Sequence, residues 1–139
     1  SMGGGGSYIY ALHRPDLFQS ACPLSALTDP KTPENAKEFF DWYGIKDKKE
    51  EELEQFHQSY GVVYQMENLP EEDLKSVRWF IDCGDDDFLF EGNSLVHIAM
   101  KKRKIPHEFR IRDGGHTWTY WRESLPEVLK FVSQGFHQY

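Results

Sequence analysis

Strand-like and helix-like segments alternate along this chain, and short strands separated by helices of this length are best accommodated by a parallel sheet with helices on its faces. Residues 7–14 read as a short helix stopped at Pro15, because proline disfavours helical geometry in the residue before it. Residues 17–24 place Phe18, Ala21, Cys22 and Leu24 in an apolar run between Pro15 and Pro23, which suits a buried strand. Residues 76–83 have the β-branched and aromatic content of a central strand and stop at Gly84. A helix over 88–104 follows, with Leu89, Leu95, Val96, Ala99 and Met100 on one face. Lys101 to Lys104 lie at its C-terminal end, where cations complement the helix dipole. Residues 107–112 alternate as a third strand, and 125–136 close the chain as an amphipathic helix behind Pro126.

Between the first two strands the texture changes to prolines and dense mixed charge. Residues 34–42 and 48–60 read as amphipathic helices with Phe39, Phe40, Leu53, Phe56 and Tyr60 facing inward. Residues 30–70 are therefore expected to form a cap or insertion. Three strands leave such a sheet short of a neighbour, so its missing strands are expected on the N-terminal side. Residues 1–139 then form the C-terminal portion of a single α/β domain whose N-terminal half is absent.

A formal charge of -7 repels phosphate backbones, so nucleic acid is not an expected partner. No apolar run approaches the roughly 18 residues of a membrane span. Cys22 and Cys83 are too few for a disulfide framework and read as free thiols. The six histidines (His13, His57, His97, His107, His116 and His137) show no metal-ligand spacing, so no metal is expected. Lys101 to Lys104 read as a solvated helix end. The run Gly3 to Gly6 lacks the Gly-Lys-Ser/Thr that a phosphate loop would need.

Three features carry chemistry: Ser1-Met2-Gly3-Gly4, the acidic loop Asp85-Asp86-Asp87 after the second strand, and Gly114-Gly115-His116 after the third. A serine hydroxyl is a poor nucleophile until an imidazole takes its proton and a carboxylate holds that imidazole in the right tautomer. Serine on a glycine-rich turn, then a carboxylate, then a histidine is the chain order of an α/β-hydrolase triad. Catalytic groups of parallel sheets gather at the carboxyl ends of strands, where Asp87 and His116 are expected. Each feature also has a plain reading: Ser1-Met2 as a vector scar, Gly3 to Ser7 as a flexible linker, the aspartates as a polar turn, and the histidine of Gly114-Gly115-His116 as a structural loop residue.

The chain resembles the C-terminal half of the esterase-D-like α/β-hydrolases, the feruloyl, acetyl xylan and tributyrin esterases. The resemblance runs through Ser1-Met2-Gly3-Gly4, Ala11-Leu12-His13-Arg14-Pro15-Asp16-Leu17-Phe18 leading to Leu24-Ser25, Cys83-Gly84-Asp85-Asp86-Asp87-Phe88-Leu89, and Gly114-Gly115-His116-Thr117-Trp118 with Trp121. The segment between about residues 30 and 70 matches least. The continuity from Tyr8 to Ser25 favours Ser1 as native, since a linker would not run directly into the elements that follow such a turn.

The resemblance implies Ser1 as nucleophile, Asp87 as the acid with Asp86 the nearest competitor, His116 as base, and the Met2 backbone N–H as half of an oxyanion hole. It implies ester hydrolysis without a cofactor, with feruloyl or acetyl esters of plant polysaccharide as the first substrates and small acyl esters next. Trp118, Tyr120 and Trp121 could form a platform for a flat substrate, with Trp118 the pocket candidate and Trp121 assigned to packing. The rival expectation is a non-catalytic module, inactive as given, that assembles through its unpaired sheet edge with another copy or with the missing half. The expected setting is secreted or periplasmic, although a chain opening inside a motif displays no stretch where a signal peptide would stand.

Overall fold

A computed structural model describes residues 1–29 and 33–137 of the chain. The elements run α1 (Met2–His13), β1 (Ser20–Ala21), α2 (Pro33–Trp42), α3 (Glu50–Tyr60), α4 (Val62–Asn68), α5 (Glu71–Lys75), β2 (Arg78–Asp82), α6 (Phe90–Lys102), β3 (Glu108–Arg110) and α7 (Trp118–Phe136). The strands form a parallel sheet in the order β1-β2-β3. In the register, Ser20 lies opposite Arg78, and Phe80 opposite Glu108.

β2 is the centre of the molecule because successive strand side chains point to opposite faces. Trp79 and Ile81 enter the main core with Tyr8, Val62, Val63, Met66, Val96 and Met100, from α1, α4 and α6. Tyr8 stacks on Trp79 with ring centroids 5.9 Å apart. Phe80 points to the other face and meets Phe131 of α7 at 5.4 Å. Each such side chain contributes roughly 1.5–3 kcal/mol when fully buried. The result is helix, sheet, helix: an α/β fold in three layers.

Four expectations are corrected. The first helix begins at Met2 rather than residue 7, so Gly3 to Gly6 are helical. Glycine is a poor helix former, but a Cβ on Gly4 would lie 2.7 Å from the Leu24 carbonyl oxygen, and one on Gly5 2.7 Å from that of Leu27. Only glycine lets α1 pack that closely on the 24–27 turn. Secondly, the first strand is cut to Ser20–Ala21, and Leu17 and Phe18 are 60% and 39% exposed. Pro23 has no N–H to donate, so pairing lapses there and resumes as an isolated bridge between Leu24 and Asp82.

Thirdly, the last helix begins at Trp118 rather than 125, because the Thr117 hydroxyl caps it by accepting the Tyr120 N–H at 3.2 Å. Pro126, read as that helix's start, lies inside it. Fourthly, of the five apolar residues expected inward in the 34–60 helices, only Phe39 is buried. Phe40, Phe56 and Tyr60 join a ring cluster, with Phe40 5.5 Å from Phe39 and Phe56 5.0 Å from Tyr43 and 4.7 Å from Tyr60, while Leu53 is half-buried.

α4 went unread in the sequence, and it carries Val62, Val63 and Met66 into the main core. Residues 30–32, at the start of the expected cap, lie outside the described residues. Among the described residues, no helix is long and apolar enough to cross a membrane.

Candidate active site

Beyond β2 and β3 the chain continues as two loops that run side by side. Cys83 N–H donates to Arg110 O, Asp85 N–H to Arg112 O and Asp86 N–H to Gly114 O, all at 3.0–3.1 Å. A Cβ on Gly84 would lie 2.1 Å from Gly114 O, and Gly114 itself has φ +143°. This glycine pair is what lets the acidic loop and the histidine loop touch.

Asp87 is buried and uses both carboxylate oxygens. Oδ1 accepts the Leu89 N–H at 2.8 Å, and Oδ2 lies 2.9 Å from His116 Nδ1. A carboxylate oxygen accepts, so Nδ1 is the donor of this pair and, in the neutral ring, Nε2 holds the lone pair. Nε2 has no partner among the described residues, and the His116 side chain is 20% exposed. Asp85 and Asp86 are exposed and lie with Asp113 in an acidic group whose carboxylate oxygens are within 4.8 Å of one another. One Asp85 oxygen is taken by the Gly114 N–H at 3.1 Å. Among the described residues, these three alone have the grouping a cation would need.

Ser1 is the N-cap of α1, and its hydroxyl makes no capping bond. Its nitrogen donates to Leu24 O at 2.9 Å, and its carbonyl accepts the N–H groups of Gly5 and Leu27. Leu24 in turn bridges Asp82, so Ser1 stands at the carboxyl end of β2, where the Asp87 loop begins. Met2 is the first residue of α1, and a helix leaves its first N–H groups without intrahelical partners, a positive site for an oxyanion. Among the described residues, no hydrogen bond joins the Ser1 hydroxyl to His116.

Aromatic rings surround the imidazole. Phe88 lies 4.8 Å from it, and Trp121 meets it perpendicularly at 4.9 Å. Trp118 packs on Trp121 at 5.2 Å and is itself 71% exposed. Trp121 donates its Nε1–H to Ser25 Oγ at 2.9 Å. Neither Phe88 nor Ser25 was singled out in the sequence, although both stand inside the stretches that carry the resemblance. The one available signal for Phe88 was an apolar residue directly after three aspartates.

Beneath the site, Asp82 is fully buried at the end of β2. It accepts from Tyr120 Oη at 2.5 Å and from Arg112 at 2.7 Å, which ties α7 to the strand. Burial pushes the Cys83 thiol up to about 12 and the Cys22 thiol to about 11, so both stay protonated. Both are free, as expected.

The family model named Esterase matches residues 1–132. The chain belongs to the esterase family. Among curated relatives of this esterase-family chain, a Bos taurus S-formylglutathione hydrolase is 30% identical over 118 residues, covering 82% of the chain and 39% of the relative. A solved ferulic acid esterase superposes with TM-score 0.76 at 33% identity, over 97% of the chain and 49% of that structure. The substrate-bound Staphylococcus aureus fluorophosphonate-binding serine hydrolase F gives 0.73 at 26%, over 94% and 51%. The chain thus spans about half the length of these two solved structures, and less of the bovine relative.

Proposed function

We propose that this chain is the C-terminal half of a serine carboxylic-ester hydrolase. The observation that carries the reading is the buried Asp87 bonded to His116 Nδ1, with Nε2 left free, in a family of esterases. In the proposed reaction, Ser1 Oγ attacks the ester carbonyl carbon and passes its proton to His116 Nε2. The oxyanion accepts a hydrogen bond from the Met2 N–H, and a second donor comes from outside this chain. The tetrahedral intermediate collapses, His116 returns the proton to the departing alcohol, and an acyl-Ser1 remains. Water, deprotonated by His116, then attacks the acyl carbon, the bond from that carbon to Ser1 Oγ breaks, and His116 returns the proton to Oγ as the acid leaves. No step needs a cofactor.

Feruloyl and acetyl esters of plant polysaccharide are the first substrates proposed, and small acyl esters the next. The ferulic acid esterase likeness supports the aromatic acyl group, and exposed Trp118 supplies a flat surface for it. Nucleic acid and membrane play no part.

A second reading has its own observation. The outer side of β1 is a groove lined by Tyr10, Ala11, Phe18, Ser20, Ala21 and Cys22, suited to another strand. Around the site, Met2, Phe88 and Trp118 are 65%, 68% and 71% exposed. On this reading the chain alone is inactive and pairs through that edge with a preceding half or with a second copy.

A fluorophosphonate probe applied to the chain and to the longer protein, with mass spectrometry of the labelled peptide, tests both readings. Label on Ser1 in the longer protein but not in the chain supports a nucleophile whose oxyanion hole is built elsewhere. No label on Ser1 in either sinks the enzyme reading.

A further inference from the structure

Ser25 stands in a costly place for its residue type. It is fully buried, and its φ of +45° lies in the left-handed region that side chains other than glycine rarely adopt. Non-glycine residues held in such regions concentrate at functional sites. Its backbone N–H donates to Asp82 O at 2.8 Å, which pins the turn to the end of β2. In that conformation its Oγ receives the Trp121 Nε1–H at 2.9 Å. A glycine would adopt this backbone at less cost, so the serine is explained by what its hydroxyl holds.

The same turn holds the opposite side of the site. Leu24 O accepts from the Ser1 nitrogen at 2.9 Å, and Leu27 N–H donates to Ser1 O at 2.9 Å. Gly4 and Gly5 keep α1 in backbone contact with Leu24, Ala26 and Leu27. On its other side the turn reaches His116 through Ser25 and Trp121, whose ring stands perpendicular to the imidazole at 4.9 Å. Asp87 fixes only Nδ1, which leaves the ring free to swing about that bond. The contacts with Trp121 and with Phe88 at 4.8 Å are what resist the swing.

We infer that the 24–27 turn is a spacer that sets the distance between Ser1 and His116, with Ser25 and Trp121 as positioning residues. Ser1 is fixed by the turn's backbone, and His116 by the Trp121 ring pegged to the Ser25 hydroxyl. This rests on the reading of Ser1 as nucleophile and His116 as base. Neither positioning residue donates or takes a proton in the reaction.

The test uses the longer protein and an activated acetyl ester. Ser25→Gly removes the peg and relieves the backbone. Trp121→Phe keeps a ring beside His116 and loses only the donor and some area. Each is expected to lower kcat on the order of tenfold with KM unchanged, since a misplacement of about 1 Å costs on the order of a hundredfold. Ser25→Gly is further expected to keep or raise the thermal midpoint, an outcome a merely structural role would not give. The double variant should be no slower than the slower single variant, because both break one link.

A parental kcat in Trp121→Phe, or multiplicative losses in the double variant, would overturn the inference. His116→Ala, run alongside, separates the two layers. Retained turnover there removes the base assignment itself. Inactive His116→Ala beside a fully active Trp121→Phe removes only the spacer.

Discussion

Gly84→Ala tests whether the contact between the two loops controls the chemistry. The new Cβ would lie 2.1 Å from Gly114 O, 2.7 Å from Gly114 C and 3.2 Å from a Tyr120 ring carbon. The first two are backbone atoms, and Gly114 O already holds the Asp86 N–H at 3.0 Å, so no flexible side-chain tip can absorb the clash. Non-bonded heavy atoms settle near about 3.5 Å, so at least about 1 Å of separation must open between the loops. Those loops carry Asp87 and His116, whose 2.9 Å bond would then exceed hydrogen-bonding range.

With His116 freed from Asp87 and displaced from Ser1, kcat should fall on the order of a hundredfold, and stability by roughly 1–3 kcal/mol from overpacking. The assay is hydrolysis of p-nitrophenyl acetate by the longer protein, beside a urea titration. Unchanged turnover with unchanged stability would refute the reasoning, because it would mean that the loops separate without consequence.

Asp87→Asn should lower kcat by about four orders of magnitude with folding retained, through the wrong imidazole tautomer. Asp86→Asn should leave kcat near the parent's, and the opposite result would move the acid by one residue. Gly4→Ala sets two effects against each other. Helix propensity favours alanine by about 1 kcal/mol, but the Cβ would lie 2.8 Å from the Ala26 Cα. A net loss of about 1–3 kcal/mol from overpacking is expected by urea titration, and a gain would show that α1 can retreat.

His97 lies 2.7 Å from His107 and stacks on Phe109, with its pKa lowered by burial first, then by His107 and Lys101. A folded value below the ordinary 6.5 means that the unfolded chain takes up the proton first as pH falls. The stability tied to His97 is therefore complete above 6.5 and declines as pH drops below it towards the folded value. His97→Gln should flatten that part of the denaturation profile between about pH 7.5 and 5.5, and a slope identical to the parent's would exclude the effect.

Much of the scaffold was legible because element type follows local periodicity. The strand before Gly84, the helix after it and the strand after Pro106 all lie within two residues of their observed ends. Asp87 and His116 were legible as motif residues, and parallel strands brought their loops together as expected. The glycine run at the amino terminus was not legible as helix. Its intrinsic preference points to coil, and the preference is overridden by a surface that accepts only glycine. The start of α7 was misplaced because Pro126 is a loud local signal and the Thr117 cap a quiet one. α4 was absorbed into the expected cap because seven residues are too few to display a helical period.

By itself, then, the sequence determined three strands and the longer helices between and beside them, the parallel sheet they require, and a serine, a carboxylate and a histidine in the order of a hydrolase. These follow from chemistry repeated over neighbouring residues, which is written locally. Tertiary structure alone decided that the Asp87 carboxylate arrives 2.9 Å from His116 Nδ1, that Gly84 and Gly114 touch, and that Ser25 holds Trp121 across 96 positions of chain. Those are meetings between backbones distant in sequence, and no local pattern encodes which atoms will arrive within 3 Å of one another.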